Sequence, residues 1–301
     1  MKKFLFCAAA IVALASCSKT QIVYSGAPEE ISFKAVTGAI TKEVQTANDF
    51  TQDMGVIAYQ SGLTDVYFSN TQFEKTIADG VTTWNGAQYW PIDSSLDFFV
   101  YSPYQETGVN QTNTAQSKTL AVTIADNSSS QVDYLYSDTY ITGKNKSSGN
   151  ISVDFDHALA YVTVTFSGED VITLSNAKLN GTYQSGTYTV TYGNPTSIAW
   201  SNQGTSTSLD LTCGVLTSNY NSSWLVVPED NNVANNTITF DYKIDGMTGN
   251  AISKSITLSE TWAAGTHYTY NVTIGANEIK FTVNTVEGWT TGKVDTETTI
   301  N

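Results

Sequence analysis

Residues 160–166, AYVTVTF, set Ala160, Val162, Val164 and Phe166 on one side of an extended chain and Tyr161, Thr163 and Thr165 on the other. Successive side chains of a strand point to opposite faces, so this segment is a strand with one buried and one wet face. The same period of two returns further along. TITFDYKI (237–244) opposes Ile238, Phe240, Tyr242 and Ile244 to Thr239, Asp241 and Lys243. YTYNVTIG (268–275) and NEIKFTVN (277–284) repeat the pattern, and the breaks NGTYQSGT, YGNPTS and DGMTGN supply Gly and Asn for turns. No long segment shows a period of 3.6. The chain therefore reads as all-β, built from antiparallel sheets with one solvated face.

Working outward, GVIAYQSG (55–62), LDFFVYS (96–102) and AVTIAD (121–126) are strands of a first half, and ISVDF (151–155) opens a second. Between the halves, TGKNKSSGN (142–150) is polar and rich in Gly, Ser and Asn, the composition of a linker or a long exposed loop. Two β-sandwich domains in tandem follow, spanning 29–149 and 150–301. No internal repeat or low-complexity tract is visible.

The N-terminus carries Lys2 and Lys3, an apolar run from Phe4 to Leu14, and then Leu14-Ala15-Ser16-Cys17. That order is a signal peptide over 1–16, since a run this short cannot cross roughly 30 Å of hydrocarbon as a helix. LASC resembles a bacterial lipobox, with cleavage between Ser16 and Cys17 and acylation of the Cys17 thiol. A triacylated Cys17 would anchor the chain stably, followed by a linker over 17–28 and outer-membrane sorting. Of three cysteines, Cys7 leaves with the signal and Cys17 carries lipid, so Cys213 has no partner for an internal disulfide. In LDLTCGVL it reads as a small buried hydrophobe.

The chain has 28 acidic residues against 14 lysines and contains no arginine, a net charge of −14. An acidic chain without arginine is a poor partner for nucleic acid or phosphate-rich ligands. Catalytic motifs are lacking: there is no G-x-S-x-G, H-E-x-x-H, phosphate loop or C-x-x-C. Asp154 and Asp156 alternate on one face of a strand, His157 follows, and Glu169-Asp170 lie after the next strand. Acids at strand ends are ordinarily solvated, and PEDNNVANN (228–236) lacks the oxygen spacing of a calcium loop, so a turn is expected there. No catalytic residue, metal ligand or cofactor is assigned, and no enzymatic role is expected. Trp84, Trp90, Trp200, Trp224, Trp262 and Trp289 each sit beside a strand-like run, which favours core over sugar-stacking platforms.

Four blocks in order carry a family resemblance: AQYWPIDSSLDFFVYSPY (87–104), DFDHALAYVTVTF (154–166), TWAAGTHYTYNVTIG (261–275) and VEGWTTG (286–292). Behind a lipobox, they resemble the fimbrillin family of Bacteroidales, whose lipoprotein members build or cap surface fimbriae. The resemblance implies two transthyretin-like domains. In these blocks Tyr89, Trp90 and Pro91 would start a strand facing Leu96, Phe98 and Val100 to the core, and His157 would open the second domain's first long strand. It also implies that a surface protease removes the first strand of the N-terminal domain and that a strand from another pilus subunit fills the groove. ISFKAV (31–36), with Ile31, Phe33 and Ala35 on one face, is the displaced strand by that resemblance. TGAITKEVQTAND (37–49) is the accessible segment.

By the same resemblance, members cut in this way usually carry an arginine here, often as Thr-Arg. This chain has Thr41-Lys42, so cleavage between Lys42 and Glu43 needs a protease that accepts lysine; otherwise Lys42 is a solvated loop residue and the strand stays. The donor strand is left open between KVDTETTIN (293–301) and NEIKFTVNTV (277–286). Partners implied are other pilus subunits, the outer membrane through lipid, and a host or bacterial surface ligand. The alternative function is a surface glycan-binding lipoprotein with exposed aromatics.

Overall fold

The computed structural model describes residues 28–35, 52–110, 116–201, 203–228, 236–287 and 294–300. In them, every regular element is a strand apart from two 3-10 turns, at Ser128–Ser130 and Lys146–Ser148. The all-β expectation therefore holds.

The first strands are β1 (Glu30–Ala35), β2 (Met54–Gln60), β3 (Val66–Ala78), β4 (Val81–Tyr89), β5 (Leu96–Ser102), β6 (Val109–Asn110) and β7 (Ser117–Thr123). They are followed by β8 (Leu135–Ser137), β9 (Ile141–Lys144), β10 (Ile151–Val153) and β11 (Phe155–His157). One sheet runs β10-β1-β4-β3-β2-β5-β8-β11, with β9 also on β5. Its two edge strands, β10 and β11, are separated in sequence by Asp154 alone, so the sheet curls until its edges meet at that residue. Inside the curl lie Ile31, Phe33, Val56, Phe73, Trp84, Phe98 and Val153.

The second half holds β12 (Ala160–Gly168), β13 (Ile172–Thr182), β14 (Ser185–Thr191), β15 (Ser197–Ser201), β16 (Thr207–Asp210) and β17 (Gly214–Val215). Then come β18 (Tyr220–Val226), β19 (Thr237–Ile244), β20 (Ile252–Thr257), β21 (Thr266–Ile274), β22 (Ile279–Glu287) and β23 (Val294–Ile300). Two sheets, β18-β12-β21-β22-β23 and β16-β13-β19-β20 with β17 on β13, face each other as a sandwich. Their alternating residues interdigitate: Val162, Val164 and Phe166 of β12 and Tyr268, Tyr270 and Val272 of β21 meet Leu174, Ile238 and Phe240.

The remaining sheet, β15-β14-β7-β6, joins strands from both halves of the chain. It covers the outer face of β2, β5 and β8, packing Leu120, Val122, Tyr188, Val190 and Trp200 on Ile57, Tyr59, Phe99, Tyr101 and Tyr136. β2 and β5 are consequently buried on both faces. That is why LDFFVYS is a near-continuous apolar run instead of an alternating one.

The division expected at 149/150 does not fall at a sheet boundary. β10 pairs with β1 and β11 with β8, so the first sheet continues to His157. The β14–β15 hairpin returns to β7. The physical reason is the doubly buried β2–β5 pair, whose outer apolar face needs a cover that the first half alone does not supply. TGKNKSSGN is an exposed loop only from Asn145 on: residues 141–144 pair with β5, and Asn145 caps the 3-10 turn after them. Tyr89 ends β4, and β5 starts only at Leu96. His157 closes β11, and the long strand begins at Ala160.

Candidate functional site

β1 alternates as its sequence dictates: Ile31 and Phe33 are fully buried, Ala35 is half-buried and packed on the same core, and Glu30 and Lys34 are exposed. It lies inside the sheet, parallel to β10 through Phe33↔Ile151 and Ala35↔Val153, and antiparallel to β4 through Phe33↔Trp84. Neither neighbour is adjacent to it in sequence. The Phe33 ring meets Phe73 and Phe98 edge-on, at centroid distances of 5.2 and 5.3 Å. Such edge-to-face pairs add to the stabilisation that burial alone provides.

A bulge in β4 seats the start of the strand. The pairing jumps from Glu30↔Tyr89 to Ser32↔Asn85, and Ala87 takes a positive φ of 50° there. The Ala87 N–H donates to Glu30 Oε1 at 2.9 Å, and the Trp90 N–H donates to the Glu29 carbonyl at 3.0 Å. Gly86 is required for closeness: a Cβ would stand 2.6 Å from the Phe73 ring and 2.8 Å from the Gln72 carbonyl oxygen. On the other side, Ser32 Oγ donates to Asn150 Oδ1 at 2.6 Å.

Of the residues singled out in the sequence, Ile31, Phe33 and Ala35 come together in this slot. Ser16, Cys17, Lys42 and Glu43 lie outside the described residues, as do Trp289 and most of PEDNNVANN. β22 is an interior strand, with Ile279, Phe281 and Val283 buried in the sandwich core, and β23 is the edge strand beside it.

The acids are not assembled into a reaction centre. Asp154 and Asp156 are exposed, while His157 points to the opposite face and pairs, buried, with Asp133, a residue the sequence did not single out. Burial pushes the Asp133 carboxyl up, with the His157 imidazole opposing that shift. Its other oxygen, Oδ1, has no hydrogen-bond partner among the described residues. Glu169 instead accepts from Lys280 Nζ at 3.1 Å. Among the described residues, no three His, Cys, Asp or Glu side chains converge as a metal site.

Cys213 is exposed, contrary to expectation. It sits between β16 and β17, where β13 breaks register, and it accepts the Ala177 N–H at 3.4 Å. Its thiol donates to the Leu211 carbonyl at 3.4 Å, outside the buried core cluster of the sandwich. Trp84, Trp90, Trp200, Trp224 and Trp262 are all buried, so among the described residues the exposed aromatics are Tyr67 and Tyr89, joined by Tyr67 Oη donating to the Tyr89 carbonyl at 3.0 Å.

A family model of fimbrillin-like proteins matches residues 19–289. Among solved structures, a candidate cell adhesion protein from Bacteroides uniformis ATCC 8492 superposes with a TM-score of 0.59 at 19% identity, over 87% of this chain and 98% of that one. One from Bacteroides ovatus ATCC 8483 gives 0.56 at 15% identity, over 89% and 100%. Another, from Bacteroides eggerthii DSM 20697, gives 0.51 at 11% identity, over 87% and 96%. At these identities the likeness is one of fold. No curated protein sequence matches.

Proposed function

The chain belongs to the fimbrillin-like family, and on that premise we propose that it is a structural and adhesive subunit of a cell-surface fimbria. In this reading it is exported as a lipoprotein on Cys17 and joined to other pilus subunits when an incoming strand takes the place of β1. The observation that carries it is the setting of β1 between two strands that are both distant in sequence. A strand closed into a hairpin cannot be withdrawn without undoing the turn; β1 has no such turn. A single cut anywhere in 36–51, the bond after Lys42 included, leaves it held by non-covalent contacts alone.

The vacated slot would offer the facing edges of β4 and β10, two strand spacings or roughly 9–10 Å apart, with unpaired N–H and C=O groups along both. Between them, the sites of Ile31 and Phe33 are apolar pockets two residues apart. An alternating strand satisfies both features at once, which is the physics of β-augmentation. Full burial of the two side chains supplies roughly 3–6 kcal/mol, so a cut β1 leaves slowly unless another strand takes its place. Two transthyretin-like units in tandem fit this role, although the covering sheet ties them together more closely than a simple linker would.

N-terminal sequencing of the surface form tests the proposal. A mature chain beginning at Glu43, together with ladders that resist SDS without heating, is expected. A polymerised form that still begins at Cys17 and retains β1 would overturn the strand-exchange part. Separately, Cys17→Ala is expected to release the precursor from membranes, and continued membrane association would refute lipid anchoring.

A further inference from the structure

One end of the curled first sheet carries an apolar rim. There β1 begins, with Glu30 opposite Tyr89; β2 gives way to β3, with Tyr59 opposite Val66; and β5 meets β9 at Leu96 and Lys144. Leu63, Val66, Tyr67, Tyr89 and Ile92 stand at this end, each between 38% and 51% exposed. They are five of the twelve large apolar side chains exposed among the described residues. The loops that bear them are joined: the Ser61 N–H donates to the Ser95 carbonyl at 2.9 Å, and Tyr67 Oη to the Tyr89 carbonyl at 3.0 Å. Single exposed apolar residues are ordinary, whereas a group gathered on one end marks a surface that meets something.

We propose that this rim rests on a zwitterionic phospholipid surface, an inference that builds on the lipid anchor at Cys17. Where the chain enters selects the occupant. β1 starts within the rim, its approach fixed by the Trp90 N–H donating to the Glu29 carbonyl at 3.0 Å. Eleven residues, 17–27, separate the anchor from Pro28. Fully extended they reach at most about 40 Å, so an acylated Cys17 confines this end to the neighbourhood of the bilayer. A patch too weak to bind membrane from solution acts there at high effective concentration.

The chemistry of the rim agrees. Tyrosines with an apolar ring and a polar tip suit the headgroup boundary, and Leu63, Val66 and Ile92 suit the first few ångströms beneath it. Exposed Glu29, Glu30, Asp65 and Asp93 outnumber Lys144 and Lys146 at this end, so anionic lipid offers no attraction and a zwitterionic surface is left.

The pose also fits the proposed cut. Segment 36–51 leaves β1 at Ala35 and returns to β2, which begins at Met54 opposite Phe73, at the far end of the sheet. The sandwich departs from that end as well, past His157 opposite Leu135, which itself pairs with Ser102 at the close of β5. Resting on its rim, the chain turns both attachments of the cut segment away from lipid, toward a soluble protease. Once β1 withdraws, the tether goes with it and the rim alone holds less tightly.

The test uses the mature full chain with Cys213→Ser, its Cys17 thiol coupled to maleimide-bearing lipid in phosphatidylcholine vesicles. This tether does not depend on whether the cell acylates Cys17, so failure here is separate from failure of the anchor, which Cys17→Ala tests in cells. Hydrogen exchange at residues 61–67 and 89–95 is expected to slow roughly tenfold relative to the untethered chain, the factor for a rim docked in about nine molecules of ten. Exchange around Ile77 and Val81, at the far hairpin tip, should not change. Leu63→Ser combined with Ile92→Ser, both exposed positions, should abolish the slowing and leave the thermal melt unaltered. No slowing at the rim, equal slowing at 77–81, slowing that survives the double substitution, or slowing only after phosphatidylglycerol is added would each overturn the assignment.

Discussion

Phe33→Ala removes the side chain that seats β1. The ring is fully buried, and its two edge-on partners stand at 5.2 and 5.3 Å. Truncating a buried phenylalanine costs roughly 3–5 kcal/mol, the transfer of the ring plus the cavity left behind. Two aromatic contacts at about 0.5–1.5 kcal/mol each place this site in the upper half of that range. Because β1 is joined to its neighbours only by ladder and side-chain contacts, the loss falls on the opening of this strand. A deficit of about 4 kcal/mol makes opening roughly a thousandfold more frequent. Urea unfolding of the uncut chain that retains β1, paired with native-state hydrogen exchange, reads both quantities. The expected result is a stability drop near that size, with faster exchange at Phe33 and Ala35 and unchanged protection in β21, whose neighbours are β12 and β22. A drop below about 1 kcal/mol, or equal loss of protection in β21, would refute the picture of β1 as a separately held strand.

The other predictions concern the groups around it. Lys118 is fully buried, its ammonium 4.8 Å from the Tyr59 ring centroid, and desolvation pulls its pKa down to about 8. Between pH 8 and 10 the unfolded chain keeps a proton that the native state has released, so stability should rise with pH, by up to about 1.4 kcal/mol per unit. Above pH 10 the rise should reverse, since burial holds Tyr59 and Tyr101 up to about 12; Lys118→Met should abolish the rise in denaturant titrations at pH 7 to 10. His157→Ala leaves the Asp133 carboxylate buried, and should cost about 3–5 kcal/mol at pH 7. The cost should shrink toward acid pH, because the raised Asp133 pKa lets the native state take up a proton before the unfolded chain does; unfolding at pH 5 and 7 checks the sign. Gly86→Ala should cost about 1–3 kcal/mol through the clash with Phe73 and the Gln72 carbonyl, read as a lowered melting temperature.

Much of the fold was legible because alternation is a local property. Val162, Val164 and Phe166, or Ile31 and Phe33, reveal their shared face without reference to any partner, and all are buried. LDFFVYS was legible as a strand, but not as one with two cores on it, since an apolar run does not say what covers each face. His157 was noticed, whereas Asp133 was not: 24 positions separate them, and only the pairing of β11 with β8 brings the loop before β8 to the imidazole.

The sequence by itself determined that this is an all-β chain, which side of each alternating strand is apolar, and that no local motif for catalysis is present. The tertiary structure decided which strand lies beside which: β1 between β4 and β10, the late hairpin β14–β15 over β2 and β5, and β22 locked inside its own sheet. The reason is physical. A side-chain pattern fixes a strand's face, but the ladder is made by backbone N–H and C=O groups that are alike in nearly every residue. Partner choice therefore falls to the packing of segments far apart in the chain, such as Phe33 against Phe73 and Phe98.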